Sequence, residues 1–160
     1  MHKIAMFTLA AALATGVTAP TANAESRTFQ FLTPSGNVGC QMATSARPGD
    51  ALVWCTVREH SWTAPQSPVC PRANVPGAIG EPGGEDLQLV EGKTPCFGFV
   101  MSQLFFEGQY APPTLAYGDQ RSAGSITCSV DPAGVTCVDA TTGNSFQVSR
   151  DTYTLTPPAA

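Results

Sequence analysis

Apolar and polar residues alternate in short runs along most of the chain. Arg27 to Phe31 places Phe29 and Phe31 on one face of a short strand. Val38, Cys40 and Met42 alternate with Gly39 and Gln41, and Val53, Cys55 and Val57 repeat the pattern after a polar Pro-Gly loop, Ser45 to Asp50. With Cys40 opposite Cys55, Met42 faces Val53 and Ala43 faces Leu52, and the apolar residues share one side of a hairpin. Gly124 to Asp139 shows the same arrangement. Asp131-Pro132-Ala133-Gly134 carries the residue types of a type I turn, with Asp first, Pro second and Gly fourth. Closing the hairpin there sets Val130 opposite Val135, Ser129 opposite Thr136 and Cys128 opposite Cys137. Opposed Cα atoms of an antiparallel pair lie about 4.5–5.5 Å apart, within reach of a disulfide. The similarity of the two hairpins is read as one solution reached twice rather than as a duplication.

The remaining pattern is less regular. Ala64 to Pro95 is dense in proline and glycine, and Pro65, Pro68, Pro71, Pro76 and Pro82 break any long element there. Asp86 to Val90 is the one strand expected inside it. Phe97 to Phe106 fits a helix face through Phe97, Met101, Leu104 and Phe105, and a strand face through Phe97, Phe99 and Met101. Gly98 weakens the helix and favours a strand for the first half. Ser145 to Ser149 and Thr152 to Leu155 read as closing strands, and Thr156 to Ala160 as a frayed tail. The expected fold is all-β: a small disulfide-pinned antiparallel sandwich or partly open barrel with a long Pro/Gly-rich loop.

The opening segment changes the picture by assigning a compartment. Lys3 precedes a nearly continuous apolar run from Ile4 to Val17, and Ala22-Asn23-Ala24 forms a small-x-small cleavage site. Residues 1–24 therefore read as a secretory signal peptide and 25–160 as a single exported β domain. An uncleaved membrane anchor is the rival reading, but the run is short for a hydrocarbon core of about 30 Å. No later run reaches a membrane-spanning length, so no stable span is expected after cleavage. All six cysteines, Cys40, Cys55, Cys70, Cys96, Cys128 and Cys137, follow the signal, and an even count in an exported chain reads as a disulfide framework. Strand register selects two pairs, and elimination leaves Cys70 with Cys96. Each closure is expected to stabilise by about 2–4 kcal/mol.

Charge narrows the function classes. The 160 residues carry a net charge of −4, and 12% are charged. No nucleic-acid partner is expected, because that would need a basic footprint. His60, in Arg58-Glu59-His60-Ser61-Trp62, is the only histidine after the signal. As a general base it needs a nucleophile such as Ser35, Ser61 or Ser149, and Glu59 to orient it; no Gly-x-Ser-x-Gly elbow is present. No Cys-x-x-Cys pair offers metal or redox chemistry. Glu81, Glu85, Asp86 and Glu91 form an acidic stretch without a calcium-loop pattern, and Gly77, Gly80, Gly83 and Gly84 do not form a phosphate loop. No metal or cofactor is expected. Trp54, on the face opposite Cys55, is expected to pack against a second layer, as are Trp62, Tyr117 and Tyr153. Arg150 is expected to pair with Asp151 or Asp139.

These landmarks resemble a family of small exported actinobacterial proteins of unknown function. The matching residues are Phe31, then Thr33-Pro34-Ser35-Gly36-Asn37-Val38-Gly39-Cys40, Val53-Trp54-Cys55 and Trp62. They continue with Leu115-Ala116-Tyr117-Gly118, Cys128 to Cys137, Thr142-Gly143-Asn144-Ser145-Phe146, Ser149-Arg150 and Tyr153. Where that family places an Asp after the fourth Cys, this chain has Phe97-Gly98-Phe99-Val100. The resemblance implies an extracytoplasmic location and disulfide use, and no activity.

The functional expectation is a non-enzymatic cell-envelope or extracellular binding module. Its expected partner is an envelope or extracellular protein, met through Ala64 to Glu91, since loops on rigid scaffolds commonly carry binding. The alternative is a secreted or cell-wall hydrolase using Glu59, His60 and Ser61 or a pair of carboxylates.

Overall fold

The computed structural model describes residues 27–44, 49–65, 70, 81–99, 104–105 and 111–156. Among these there is no helix, and ten strands form two sheets. The first sheet runs β1 (Arg27–Leu32), β2 (Val38–Thr44), β3 (Leu52–Val57), β4 (Glu81–Val90) and β5 (Cys96–Phe99), each pairing with the next. The second runs β6 (Gln120–Ala123), β7 (Ile126–Asp131), β8 (Gly134–Asp139), β9 (Ser145–Val148) and β10 (Tyr153–Thr156) in the same manner. All these pairings are antiparallel. The edge strands do not close onto one another, so the architecture is a sandwich rather than a barrel.

Both predicted hairpins form in the predicted register. Cys40 stands opposite Cys55, with Met42 on Val53 and Ala43 on Leu52. Cys128 stands opposite Cys137, with Ser129 on Thr136 and Val130 on Val135. The Cα–Cα separations are 4.1 Å and 4.0 Å, the close spacing of a non-hydrogen-bonded antiparallel pair. Both cystines point into the space between the sheets and are fully buried there. Phe31, Met42, Val53 and Leu87 pack from one side, and Ile126, Val130, Val135 and Phe146 from the other. The third disulfide, Cys70 to Cys96, ties the proline-rich stretch to β5. Three disulfides suit an oxidising, extracytoplasmic environment.

Several expectations shift. The strand expected to begin at Asp86 begins at Glu81, and a register irregularity between Glu81 and Asp86 separates its two halves. The Pro82-Gly83-Gly84 stretch masks it, since all three residues disfavour a strand interior. The strand reading of the Phe97 stretch holds as β5. Strand β6 is polar and largely exposed, so no alternation announced it. Trp54 does pack in a second layer: it is 4% exposed, in a small cluster with Leu52 and Leu104 on the outer face of the first sheet.

A short bridge joins the sheets at one edge. Thr114 pairs in parallel with Leu32, whose N–H donates to the Pro113 carbonyl at 3.0 Å and whose carbonyl accepts from Leu115 at 2.9 Å. The expected signal peptide at 1–24, residues 45–48 of the Ser45–Asp50 loop, Met101, Phe106 and the tail at 157–160 lie outside the described residues.

Candidate functional site

The loops at one end of the sandwich converge on a cleft of about 650 Å³. Four turns and the residues after β3 build it. The β1–β2 turn is closed by Thr33, whose N–H donates to the Val38 carbonyl at 2.9 Å and whose buried hydroxyl accepts from the Val38 N–H at 3.2 Å. Asn37 then clamps the chain beyond β3: its amide nitrogen donates to the Glu59 carbonyl at 2.9 Å, and its amide oxygen accepts from the Glu59 N–H at 3.0 Å. This Asn side chain is committed to the scaffold.

The β7–β8 turn forms a second wall. Asp131 accepts from the Ala133 N–H at 2.7 Å through one carboxylate oxygen. Gly134 has φ 133°, and a Cβ there would collide with the Val148 carbonyl oxygen. Only glycine lets the turn lie this close to β9. The β9–β10 turn is held by the Ser149 hydroxyl, which accepts from the N–H groups of Asp151 and Thr152 at 3.3 Å and 3.2 Å. Arg150 in that turn accepts at its carbonyl from the Ser61 N–H at 3.0 Å.

The fourth element carries Tyr117, which lines the cleft and is 48% exposed. It was expected to pack like the other aromatics, and here the structure corrects the sequence reading. Leu115 is tied to Leu32 in one sheet, and the Gly118 N–H donates to the Val130 carbonyl in the other at 2.8 Å. The backbone on both sides of the phenol is fixed, and about half of the residue stays exposed.

Trp62 and Tyr153 do pack. The Trp62 indole N–H donates to the Ser149 carbonyl at 2.9 Å, and its ring meets Tyr153 edge-on at 5.1 Å between centroids. His60 stacks on Trp62, with centroids 3.9 Å apart. Its Nδ1 lies 2.7 Å from the Trp62 carbonyl oxygen and its Nε2 lies 3.1 Å from a Glu85 carboxylate oxygen. Both ring nitrogens are thereby occupied, and none of Ser35, Ser61 and Ser149 hydrogen-bonds to the ring among the described residues. The expected grouping of Glu59, His60 and Ser61 is not assembled. Glu59 instead faces Arg150, 3.8 Å away, in an exposed pair. The expected partners of Arg150, Asp151 and Asp139, do not take that place: Asp151 is its chain neighbour, and Asp139 lies at the far end of β8.

Asp139, rather than pairing with Arg150, has a setting that no local sequence pattern announces. It is fully buried. One carboxylate oxygen accepts from the hydroxyls of Ser125 and Thr141, both at 2.7 Å, and from the Thr141 N–H at 2.9 Å. The other accepts from the Gly92 N–H at 2.7 Å and the Thr142 hydroxyl at 2.9 Å. Burial by itself pushes the pKa of this carboxyl up, but the donors from Ser125, Gly92 and Thr141 outweigh it and hold the pKa well below the ordinary 3.8. Gly92 lies in the β4–β5 turn, so this carboxylate stitches the two sheets together.

The acidic stretch disperses along β4 and its turn. Glu85 meets His60, Asp86 accepts from the Thr56 hydroxyl at 2.5 Å, and Glu91 accepts from the Ala51 N–H at 3.3 Å. No group of three potential metal ligands comes together among the described residues. Of the predicted contact region Ala64 to Glu91, residues 66–69 and 71–80, with Gly77 and Gly80, lie outside the described residues.

No family model, no curated protein and no solved structure matches the chain.

Proposed function

We propose that the chain is an exported, non-catalytic binding module of the cell envelope or the extracellular space, and that the end cleft is its working surface. The observation that carries this reading is the contrast within the cleft between committed and uncommitted groups. Its backbone and the Asn37 side chain are spent on holding four turns from both sheets in place. The Tyr117 ring, the Asp151 carboxylate and the second oxygen of Asp131 are spent on nothing among the described residues. A fixed scaffold presenting unspent polar groups is the arrangement expected of a binding site, because little ordering is needed on association. The resemblance to small exported proteins and the disulfide framework support the same compartment. None of Ser35, Ser61 and Ser149 hydrogen-bonds to His60 among the described residues, which supports the non-catalytic reading over the histidine form of a hydrolase.

The test uses the chain from residue 25 with its disulfides intact, incubated with an isolated envelope fraction of the producing cells. Retention is expected, and Arg150→Glu with Asp151→Lys is expected to reduce it at least about tenfold, without change in the unfolding midpoint. Removal of residues 72–79, between Cys70 and β4, probes the loop separately. Equal retention by wild type and the cleft variant overturns the cleft as the working surface. Release of soluble fragments from the envelope overturns the non-catalytic reading.

A further inference from the structure

We infer that the end cleft takes a neutral saccharide, stacked on Tyr117 and hydrogen-bonded by the surrounding carboxylates and guanidinium groups; this rests on the cleft being the working surface. Sugars present two kinds of surface. A patch of C–H groups packs on an aromatic ring, and the rim of vicinal hydroxyls needs partners that accept and donate side by side. Proteins meet the first with an exposed ring that has an apolar body and a polar tip, and the second with planar polar side chains.

Both are present on fixed supports. Tyr117 is one of only two large hydrophobic side chains exposed among the described residues, and it alone of these two lines the cleft. The turn carrying it is closed by the Asp119 N–H on the Ala116 carbonyl at 3.1 Å, in addition to its ties to both sheets. Across the cleft, Asp131 keeps one oxygen free of hydrogen bonds and Asp151 keeps its whole carboxylate free among the described residues. Arg58 lies with its guanidinium 4.6 Å from the centre of the Phe105 ring, which holds the group in place and leaves its N–H edges to donate. Acceptors and donors therefore line the same cleft as the ring.

The same residues argue against other ligand classes. The lining holds Arg58 and Arg150 against Glu59, Asp131 and Asp151, so its charge is net negative and a polyphosphate or nucleic acid would be repelled. A protein partner would anchor an apolar side chain in a desolvated pocket. The apolar contribution of Val38 is sealed under the turn, at 4% exposure, and Pro132 and Ala133 sit on an outward hairpin tip. A neutral, hydroxyl-rich ligand suits the ring, the slight negative charge and the lack of a deep apolar hole in this cleft.

The experiment is an amide NMR titration of the disulfide-intact chain from residue 25. The probes are cellopentaose, N-acetylchitopentaose, mannopentaose and arabinopentaose, with inorganic phosphate as the anionic control. At least one oligosaccharide is expected to give saturable shifts at Gly118, Asp119 and the Ser149–Thr152 turn. Tyr117→Ala is expected to weaken that binding about tenfold or more with a fully dispersed spectrum, and Tyr117→Phe to retain it within about threefold. Silence from all four sugars at about 10 mM, shifts confined to other surfaces, or phosphate binding in place of sugar overturns the inference. A silent panel beside an intact loss of envelope retention in the cleft variant rejects the saccharide and leaves the working surface standing.

Discussion

The two ends of the sandwich use carboxylates in opposite ways. At one end Asp139 is buried, and two N–H groups and three hydroxyls take up its oxygens. At the other, Asp131, Asp151 and Glu59 line an open cleft; Asp131 accepts from one backbone N–H and Glu59 faces Arg150 in an exposed pair, with no cage of donors around any of them among the described residues. Both ends belong to the same strands: β8 runs from Gly134 at the cleft to Asp139 at the sealed end. The lesson is that the residue type does not decide the role. The number of donors that converge on a carboxylate decides whether it is part of the frame or is left for something else to meet.

Substitutions at the sealed end should therefore move stability most. Asp139→Ala leaves the hydroxyls of Ser125, Thr141 and Thr142 and the Gly92 N–H without their acceptor, and is expected to cost about 3–5 kcal/mol in denaturant unfolding. The same group sets an acid limit. A carboxyl with a lower pKa in the folded chain adds stability that is complete above its ordinary value of 3.8 and is lost as pH falls below it. Urea midpoints of the wild type should drop over that range, and Asp139→Asn, less stable throughout, should drop less steeply. A parallel fall in both proteins would assign the acid limit elsewhere.

Gly134→Ala breaks the comparison from the other side, because it sits at the cleft but belongs to the frame. A Cβ pressing on the Val148 carbonyl at φ 133° is expected to destabilise by about 2–3 kcal/mol. Asn37→Ala removes both hydrogen bonds to Glu59 and is expected to cost about 1 kcal/mol. Asp151→Asn is the smallest: its stability should stay within about 0.5 kcal/mol of wild type. A large thermal shift in that variant would mean that the cleft carboxylates also serve the frame.

The frame was more legible from the residues than the cleft. Side chains alternate with period two in a strand, so a shift of one residue would have turned Cys40, Cys55, Cys128 and Cys137 away from the core along with their apolar neighbours. Turn chemistry and alternation fixed the same register, and elimination then gave Cys70 to Cys96. Strand β6 was missed because Gln120-Arg121-Ser122 carries no apolar beat; it forms because β7 offers an edge to pair with. The partner of Arg150 was missed because Glu59 is remote in the chain, and only the stapling of Ser61 to the β9–β10 turn brings them near. Tyr117 was misread because composition says that aromatics pack, and nothing local says when a bridge between two sheets leaves one outside. The burial of Asp139 needed three separate turns to meet, which no single segment encodes.

The prolines before the Thr114 bridge have a consequence for behaviour in a crowded compartment. Strand β1 is the terminal strand of its sheet, covered at Leu32 by the Thr114 bridge, and uncovered sheet margins invite other chains to add on. Pro112 and Pro113 have no amide hydrogen, so the segment that meets Leu32 cannot itself template a further strand at those positions. The join that positions Tyr117 thus also limits strand addition at this margin, and replacing both prolines would restore two backbone donors beside Leu32.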